Sequence, residues 1–178
     1  LFGSEKYDLA IQYFDIFDES DPYYPDSLNQ KGLALTHIGN YTQAVDVFDQ
    51  LISFEKLSQR ALSNKANALT KLERYDEAIK SADEALEINP KYVIGIVAKG
   101  NVYFHQEKYA TALKFYNDAL ALDPFQEVAL NQKGLSLFYL KRYDEALNTF
   151  DTILEKNPMS TEALVNMANI LFEQQKFD

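Results

Sequence analysis

The chain has no cysteine in its 178 residues. A disulfide framework and thiol chemistry are therefore excluded, and a reducing, cytoplasmic setting is expected. Basic residues are scarce: 17 Lys and Arg stand against 27 Asp and Glu, giving a net charge of −10 and a pI near 4.7. Binding to a phosphate backbone needs clustered cations, so nucleic acid is not expected as a partner. No apolar run approaches a membrane span; the longest, residues 92–98, is interrupted by Gly95, and no charged-then-apolar signal segment occurs. A membrane partner is not expected either. Only two histidines are present, His37 and His105, and they fall two repeats apart, too far to share a metal ion. The patterns GxGxxG, GxxxxGK[ST], HExxH and GxSxG are all missing. An enzyme is not expected, and neither is a cofactor or a metal.

What the chain does have is an internal period. Small residues fall at Gly32, Ala66, Gly100, Gly134 and Ala168. Aromatics fall at Tyr7, Tyr41, Tyr75, Tyr109, Tyr143 and Phe177, and alanines at Ala10, Ala44, Ala78, Ala112 and Ala146. Prolines fall at Pro22, Pro90, Pro124 and Pro158, each preceded by Asp or Asn. All four series step by 34 residues or a multiple of it. In the clearest unit, residues 59–92, Leu62, Ala66, Leu69 and Leu72 recur at helical spacing. After a polar break, Tyr75, Ala78, Ile79, Ala82, Ala85 and Leu86 do the same. The spacing predicts two amphipathic helices per repeat, closed by Asn89-Pro90.

Each series has its own physical reason. Glycine inside a helix costs roughly 1 kcal/mol against alanine, so it is tolerable where a second helix must come close. The alanine after each aromatic serves the same approach from the other side. The aromatic fills the gap where the two helices part. Proline, which lacks an N–H and restricts its predecessor, stops the second helix. These residues carry a resemblance to the tetratricopeptide repeat family, specific and running the length of the chain. Repeat 93–126 matches the family pattern through Ile96, Gly100, Tyr103, Tyr109, Ala112, Tyr116, Ala119 and Pro124. Repeat 127–160 matches through Leu130, Gly134, Leu137, Tyr143, Ala146, Phe150 and Pro158, and repeat 25–58 through Leu28, Gly32, Leu35, Tyr41, Ala44 and Phe48. The resemblance implies an all-α, right-handed α-solenoid of antiparallel helix pairs with a 34-residue repeat. The expected array has full repeats at 25–58, 59–92, 93–126 and 127–160. Residues 1–24 supply the second helix of a partial repeat, about Lys6 to Phe17. Residues 161–178 supply a first helix, about Thr161 to Gln174. With no starting Met and no polar caps at either end, the chain reads as a fragment of a longer array.

Departures from the pattern are informative. Lys56 stands in a proline slot, so the joint at residues 54–58 must be held by other means. Ala82 replaces an aromatic, which predicts closer packing or a shallow dent. Lys31, Lys65, Lys99 and Lys133 occupy one slot, followed by Met167. Their stems are expected to cover apolar surface while the ammonium groups reach water or neighbouring acids, with a stripe for an acidic ligand as the alternative. Acid pairs such as Asp76-Glu77 and Asp144-Glu145 recur where second helices begin and suit the helix dipole.

The resemblance implies that first helices line a concave face where ligands lie. By register, that face includes Ile94, Val97, Asn101 and Phe104, then Val128, Asn131, Leu135 and Phe138, then Val165, Asn169 and Phe172. Apolar residues on a face not needed for the helix-pair core suggest a groove for a peptide or partner helix. The asparagines could pair with its backbone. Packing of the phenylalanines between repeats is the competing reading. Some family members hold a chaperone's C-terminal carboxylate in a clamp of Lys, Asn, Asn, Lys and Arg. Here the basic slots hold Ser63, Val97, Ile94, Ala98 and Val128, so that mode is not expected. The expected function is a protein–protein interaction scaffold or adaptor. The alternative is self-assembly, with the last helix of one molecule packing head-to-tail on the first of another.

Overall fold

The computed structural model describes residues 2–175, and the aromatic expected at Phe177 lies outside them. Among the described residues there are ten α-helices and no strand: α1 (Phe2–Phe14), α2 (Tyr24–His37), α3 (Tyr41–Phe54), α4 (Gln59–Lys71), α5 (Tyr75–Ile88), α6 (Val93–His105), α7 (Tyr109–Leu122), α8 (Glu127–Tyr139), α9 (Tyr143–Lys156) and α10 (Thr161–Gln174). None is long and apolar enough to cross a membrane. The fold is an all-α solenoid of helix pairs on a 34-residue repeat. It forms two compact units, residues 1–98 and 99–178, with the boundary inside α6. In the first unit α1 packs on α2, α2 on α3, α3 on α4 and α4 on α5; in the second, α7 packs on α8, α8 on α9 and α9 on α10.

The small-residue slot sets how close each pair comes. A Cβ added at Gly32 would sit 2.5 Å from the Phe48 ring, and one at Gly134 would sit 2.5 Å from the Phe150 ring. At Gly100 the same addition would meet the Tyr116 ring at 2.7 Å. Glycine here makes room for an aromatic of the second helix, and Phe48, Tyr116 and Phe150 are fully buried. Repeat 59–92 solves the same crossing differently. Ala66 and Ala82 meet there, with Ala98, in a buried cluster of three alanines. In the second unit a buried cluster gathers Leu113, Leu130, Leu137, Phe150, Ile153 and Ile170.

The end of each first helix was not legible in the sequence. Gly39, Glu73, Glu107 and Lys141 share one slot, and all four have positive φ, between 58° and 82°. The residue after each donates its N–H back across the turn: Asn40 to the Leu35 carbonyl, Arg74 to Leu69, Lys108 to Tyr103 and Arg142 to Leu137. This left-handed closure satisfies carbonyls that the helix leaves without partners. Only the first instance uses glycine, for which that conformation is unstrained.

Two second helices, α5 and α9, begin as the dipole argument anticipates, while α3 and α7 carry no acid in the first turn. Asp76 and Glu77 lie in the first turn of α5, and Asp144 and Glu145 in that of α9. Arg74 and Arg142 grip Glu77 and Glu145 from the preceding residue slots, and those hydrogen bonds hold both carboxyls below their ordinary pKa. In the lysine ladder, Lys31 pairs with Asp15 and Lys65 with Asp49, at 2.5 Å for the latter. The Lys65 ammonium thus reaches an acid of the preceding helix, and that of Lys31 the acid just past the end of α1. The joint at Lys56 is closed by a turn in which Ser58 donates to the Glu55 carbonyl, while Phe54 packs edge-on against Tyr24.

One boundary differs from expectation. Helix α1 spans 2–14 rather than 6–17. The stretch that follows is Asp15, Ile16, Phe17, Asp18, Glu19, and acids are unfavourable at a helix C-terminus. Asp18 instead accepts hydrogen bonds from the Ser20 N–H and hydroxyl, closing a local turn.

Candidate functional site

The eleven residues expected on the ligand face fall in different environments. In the first unit, Ile94 is exposed, but Val97 is only 4% exposed. Val97 therefore packs inside and cannot line a surface, although the same slot is half-buried at Asn131 and exposed at Val165. In the second unit, Val128 and Val165 are exposed, while Asn101, Phe104, Asn131, Leu135 and Phe138 are half-buried. Asn169 is exposed and Phe172 is 64% exposed.

Two phenylalanines are already engaged by the fold. Phe104 meets Tyr109 and Tyr139 edge-on, at 5.4 and 5.9 Å between ring centroids. Tyr109 stacks on Tyr139 at 4.6 Å, linking neighbouring repeats. Burial pushes the Tyr109 phenol above its ordinary pKa, and Glu107 adds to the shift. Phe138 contacts Tyr139 and Tyr143 and packs against the core of the second unit. Phe104 thus reaches a ring of the neighbouring repeat, whereas the ring contacts of Phe138 lie within its own.

Two of the three asparagines are engaged as well. Asn101 accepts a hydrogen bond of 3.0 Å from the hydroxyl of Tyr116, which is fully buried and whose pKa burial raises strongly. Asn131 donates to Glu162 and accepts from the Asn166 amide at 3.2 Å, tying α8 to α10. Asn64 and Asn29 make the same tie between α4 and α2 in the first unit, at 3.0 Å. Asn131 with Asn166 and Asn29 with Asn64 hold adjacent first helices in register, and Asn101 ties α6 to α7.

The remaining residues converge. A cavity of about 340 Å³ opens where α8 faces α10. Leu135, Phe138 and Tyr139 line it from α8, and Phe150 from α9 forms part of its lining. Asn166, Asn169, Ile170, Phe172 and Glu173 line it from α10. Four of the expected residues meet here: Leu135, Phe138, Asn169 and Phe172. Val128, Asn131 and Val165 do not line it. Five lining residues lie outside the expected set: Phe150 and Ile170, which belong to the buried core, and three others. Tyr139 ends an aromatic run at the close of α8, Asn166 follows Asn131 by 35 residues, and Glu173 is the next residue after Phe172. Asn166 carried a signal, since it repeats the slot of Asn64, whereas the slot of Tyr139 holds His37, Lys71, His105 and Glu173 elsewhere. The lining of the cavity mixes four rings, of which Phe150 is buried, Phe138 half-buried and Tyr139 and Phe172 exposed, with two aliphatic side chains, one carboxylate and two amides. It has the composition of a pocket that takes an apolar side chain and orients a neighbouring polar group. No group of side chains among the described residues could hold a metal ion.

Comparison with known proteins agrees with this architecture. Tetratricopeptide repeat models match residues 25–56, 60–92 and 131–178. A model described as anaphase-promoting complex, cyclosome, subunit 3 matches residues 95–153. Among solved structures, a thermophilic TPR protein of Thermus thermophilus superposes with a TM-score of 0.84 at 21% identity, covering 96% of this chain and 93% of its own. The first TPR domain of human RPAP3 gives 0.62 at 26% identity, covering 66% and 93%. The first TPR of Spaghetti (RPAP3), solved with an HSP90 peptide SRMEEVD, gives 0.61 at 26% identity over the same shares. No curated protein sequence matches significantly. With three repeat models in register along most of its length and a fold shared with solved members, the chain belongs to the tetratricopeptide repeat family.

Proposed function

We propose that this chain is a protein–protein interaction scaffold whose working surface is the cavity between α8 and α10, on the face the family resemblance makes concave. The observation that carries the reading is the cavity of about 340 Å³ with Phe172 and Asn169 both exposed beside it. A partner peptide or helix would place one apolar side chain against Phe138 and Phe172. The Asn169 amide, donor and acceptor together, would pair with its backbone. The function is binding, not catalysis. The relative solved with an HSP90 peptide supports peptide recognition as a use of such an array. Its ligand is not carried over, because Ser63, Ile94, Val97, Ala98 and Val128 place no cation at the slots that would neutralise a terminal carboxylate.

The test uses substitutions that spare the fold. Asn101 and Phe138 both serve packing, so Phe172→Ala with Asn169→Ala is the cleaner pair. Peptides selected from a random library on the native chain should lose at least about ten-fold in affinity for the double variant, the effect of removing an interface anchor. The helical circular dichroism should be unchanged. Undiminished binding would overturn the assignment of this cavity.

A further inference from the structure

A second cavity lies in the first unit, at the joint where Lys56 stands in the proline slot. It measures about 420 Å³ and opens between the end of α3, the joint itself and the end of α5. Ile52, Leu57, Leu62 and Ile88 give it an apolar lining. Leu57 is 76% exposed, so the fold itself buries little of that side chain. Glu84, Glu87 and Lys56 complete the lining. Glu84 makes a loose pair with Lys80, at 3.9 Å. The site shares no residue with the cavity between α8 and α10.

The second unit has the same place two repeats on, and there it is filled. Phe125 stands in the slot of Leu57, Leu130 in that of Leu62 and Lys156 in that of Ile88. The Lys156 ammonium lies over the Phe125 ring, 4.1 Å from its centroid, and a cavity of about 40 Å³ remains. The backbone is not the difference. Ser58 donates to the Glu55 carbonyl and Gln126 to the Asp123 carbonyl, the same turn at equivalent positions. The side chains are the difference: the first unit lacks both the ring and the cation, and it has Glu84 where the second has Thr152. We propose that this cavity docks a segment of a protein partner that supplies what is missing: an aromatic side chain for the apolar lining, with a lysine or arginine beside it. The cation would lie over the ring, as Lys156 does over Phe125, and within reach of Glu84 and Glu87. Charge favours such a segment at longer range as well. Residues 1–98 hold 16 acids against 9 Lys and Arg, so a basic partner is drawn to this unit.

Leu57→Phe with Ile88→Lys transplants the second unit's closure and should fill the cavity while leaving the helical circular dichroism unchanged. A library of short random peptides is selected on the native chain after depletion on this filled variant. The variant keeps the cavity between α8 and α10, so depletion removes peptides that bind there. Survivors should carry an aromatic residue next to Lys or Arg. Their synthetic forms should shift the methyl resonances of Ile52 and Ile88, and should bind the filled variant at least about ten-fold more weakly than the native chain. Glu84→Gln with Glu87→Gln should weaken them about three-fold or more at low salt, the scale of two surface ion pairs, and less at high salt. Phe172→Ala with Asn169→Ala should leave their affinity unchanged, so that failure here and failure of the other cavity are distinguishable. The proposal is overturned if no peptide survives depletion, if survivors lack the aromatic–basic pair, if the two methyl groups do not respond, or if removing both carboxylates has no effect. Self-association of the native chain that the filled variant abolishes would also overturn it, by making a second copy the occupant.

Discussion

Gly134→Ala puts the packing rule at risk in its simplest form. Two effects oppose each other. Alanine in place of a mid-helix glycine favours the helix by about 1 kcal/mol. Against that, the new Cβ would lie 2.5, 2.7 and 2.9 Å from three atoms of the Phe150 ring, where carbon atoms settle at about 3.5–4.0 Å. Phe150 is fully buried and cannot swing its ring into solvent. Overpacking of this kind ordinarily costs about 1–3 kcal/mol, and three overlaps with an immobile ring place this site at the upper end. The expected net effect is a loss of about 1–2 kcal/mol. Phe150→Ala alone should cost about 3–5 kcal/mol by leaving a cavity. The two together recreate the Ala66–Ala82 arrangement, remove the overlap and should cost at least about 1 kcal/mol less than the sum. Denaturant unfolding of the four proteins, followed by far-ultraviolet circular dichroism, measures the cycle. The reasoning fails if Gly134→Ala is stabilising, or if the two changes add within about 0.5 kcal/mol.

Three further outcomes follow from named contacts. Asn101→Ala should destabilise the chain by about 1–3 kcal/mol because it strands the buried Tyr116 hydroxyl, whereas Tyr116→Phe removes the need and should cost less; thermal unfolding compares the two. Glu107→Gly relieves a positive φ of 60° at the end of α6 and should stabilise by up to about 1 kcal/mol, read from the denaturant midpoint at constant slope. Lys65→Met places in the ladder the residue that stands at position 167 and breaks the pair with Asp49. An ion pair at the surface contributes little, so the change should lie within about 1 kcal/mol of neutral and shrink further in high salt.

The helix pairs were legible because close approach leaves a chemical trace. A glycine in mid-helix is unfavourable unless something needs the space, and its recurrence at 34 residues reported the crossings before any coordinates did. The bounds of α10, 161–174, follow from that register alone. Helix ends were less legible. Glu73, Glu107 and Lys141 adopt a left-handed conformation that their identity does not advertise, with Gly39 as the single hint. The end of α1 falls at Phe14 because acids beyond it compete for the local backbone. The site was the least legible part. A slot number says which side of a helix a residue occupies, but not how far the neighbouring helix closes over it. Val97 was thus placed on a surface that does not reach it. Asn131 was offered to a ligand although Glu162 and Asn166 already take its amide. Phe172 and Asn169 are exposed at the cavity, while Phe138 is shared between the core and the cavity.

The central claim is that partners are held where α8 faces α10. Amide hydrogen exchange on the native chain, free and saturated with a library-selected peptide, tests it directly. The account predicts new protection concentrated at the close of α8, near residues 135–139, and in α10 from residue 166 to 173. Protection appearing instead on the outward faces of α7 and α9, with residues 166–173 unchanged, would contradict it.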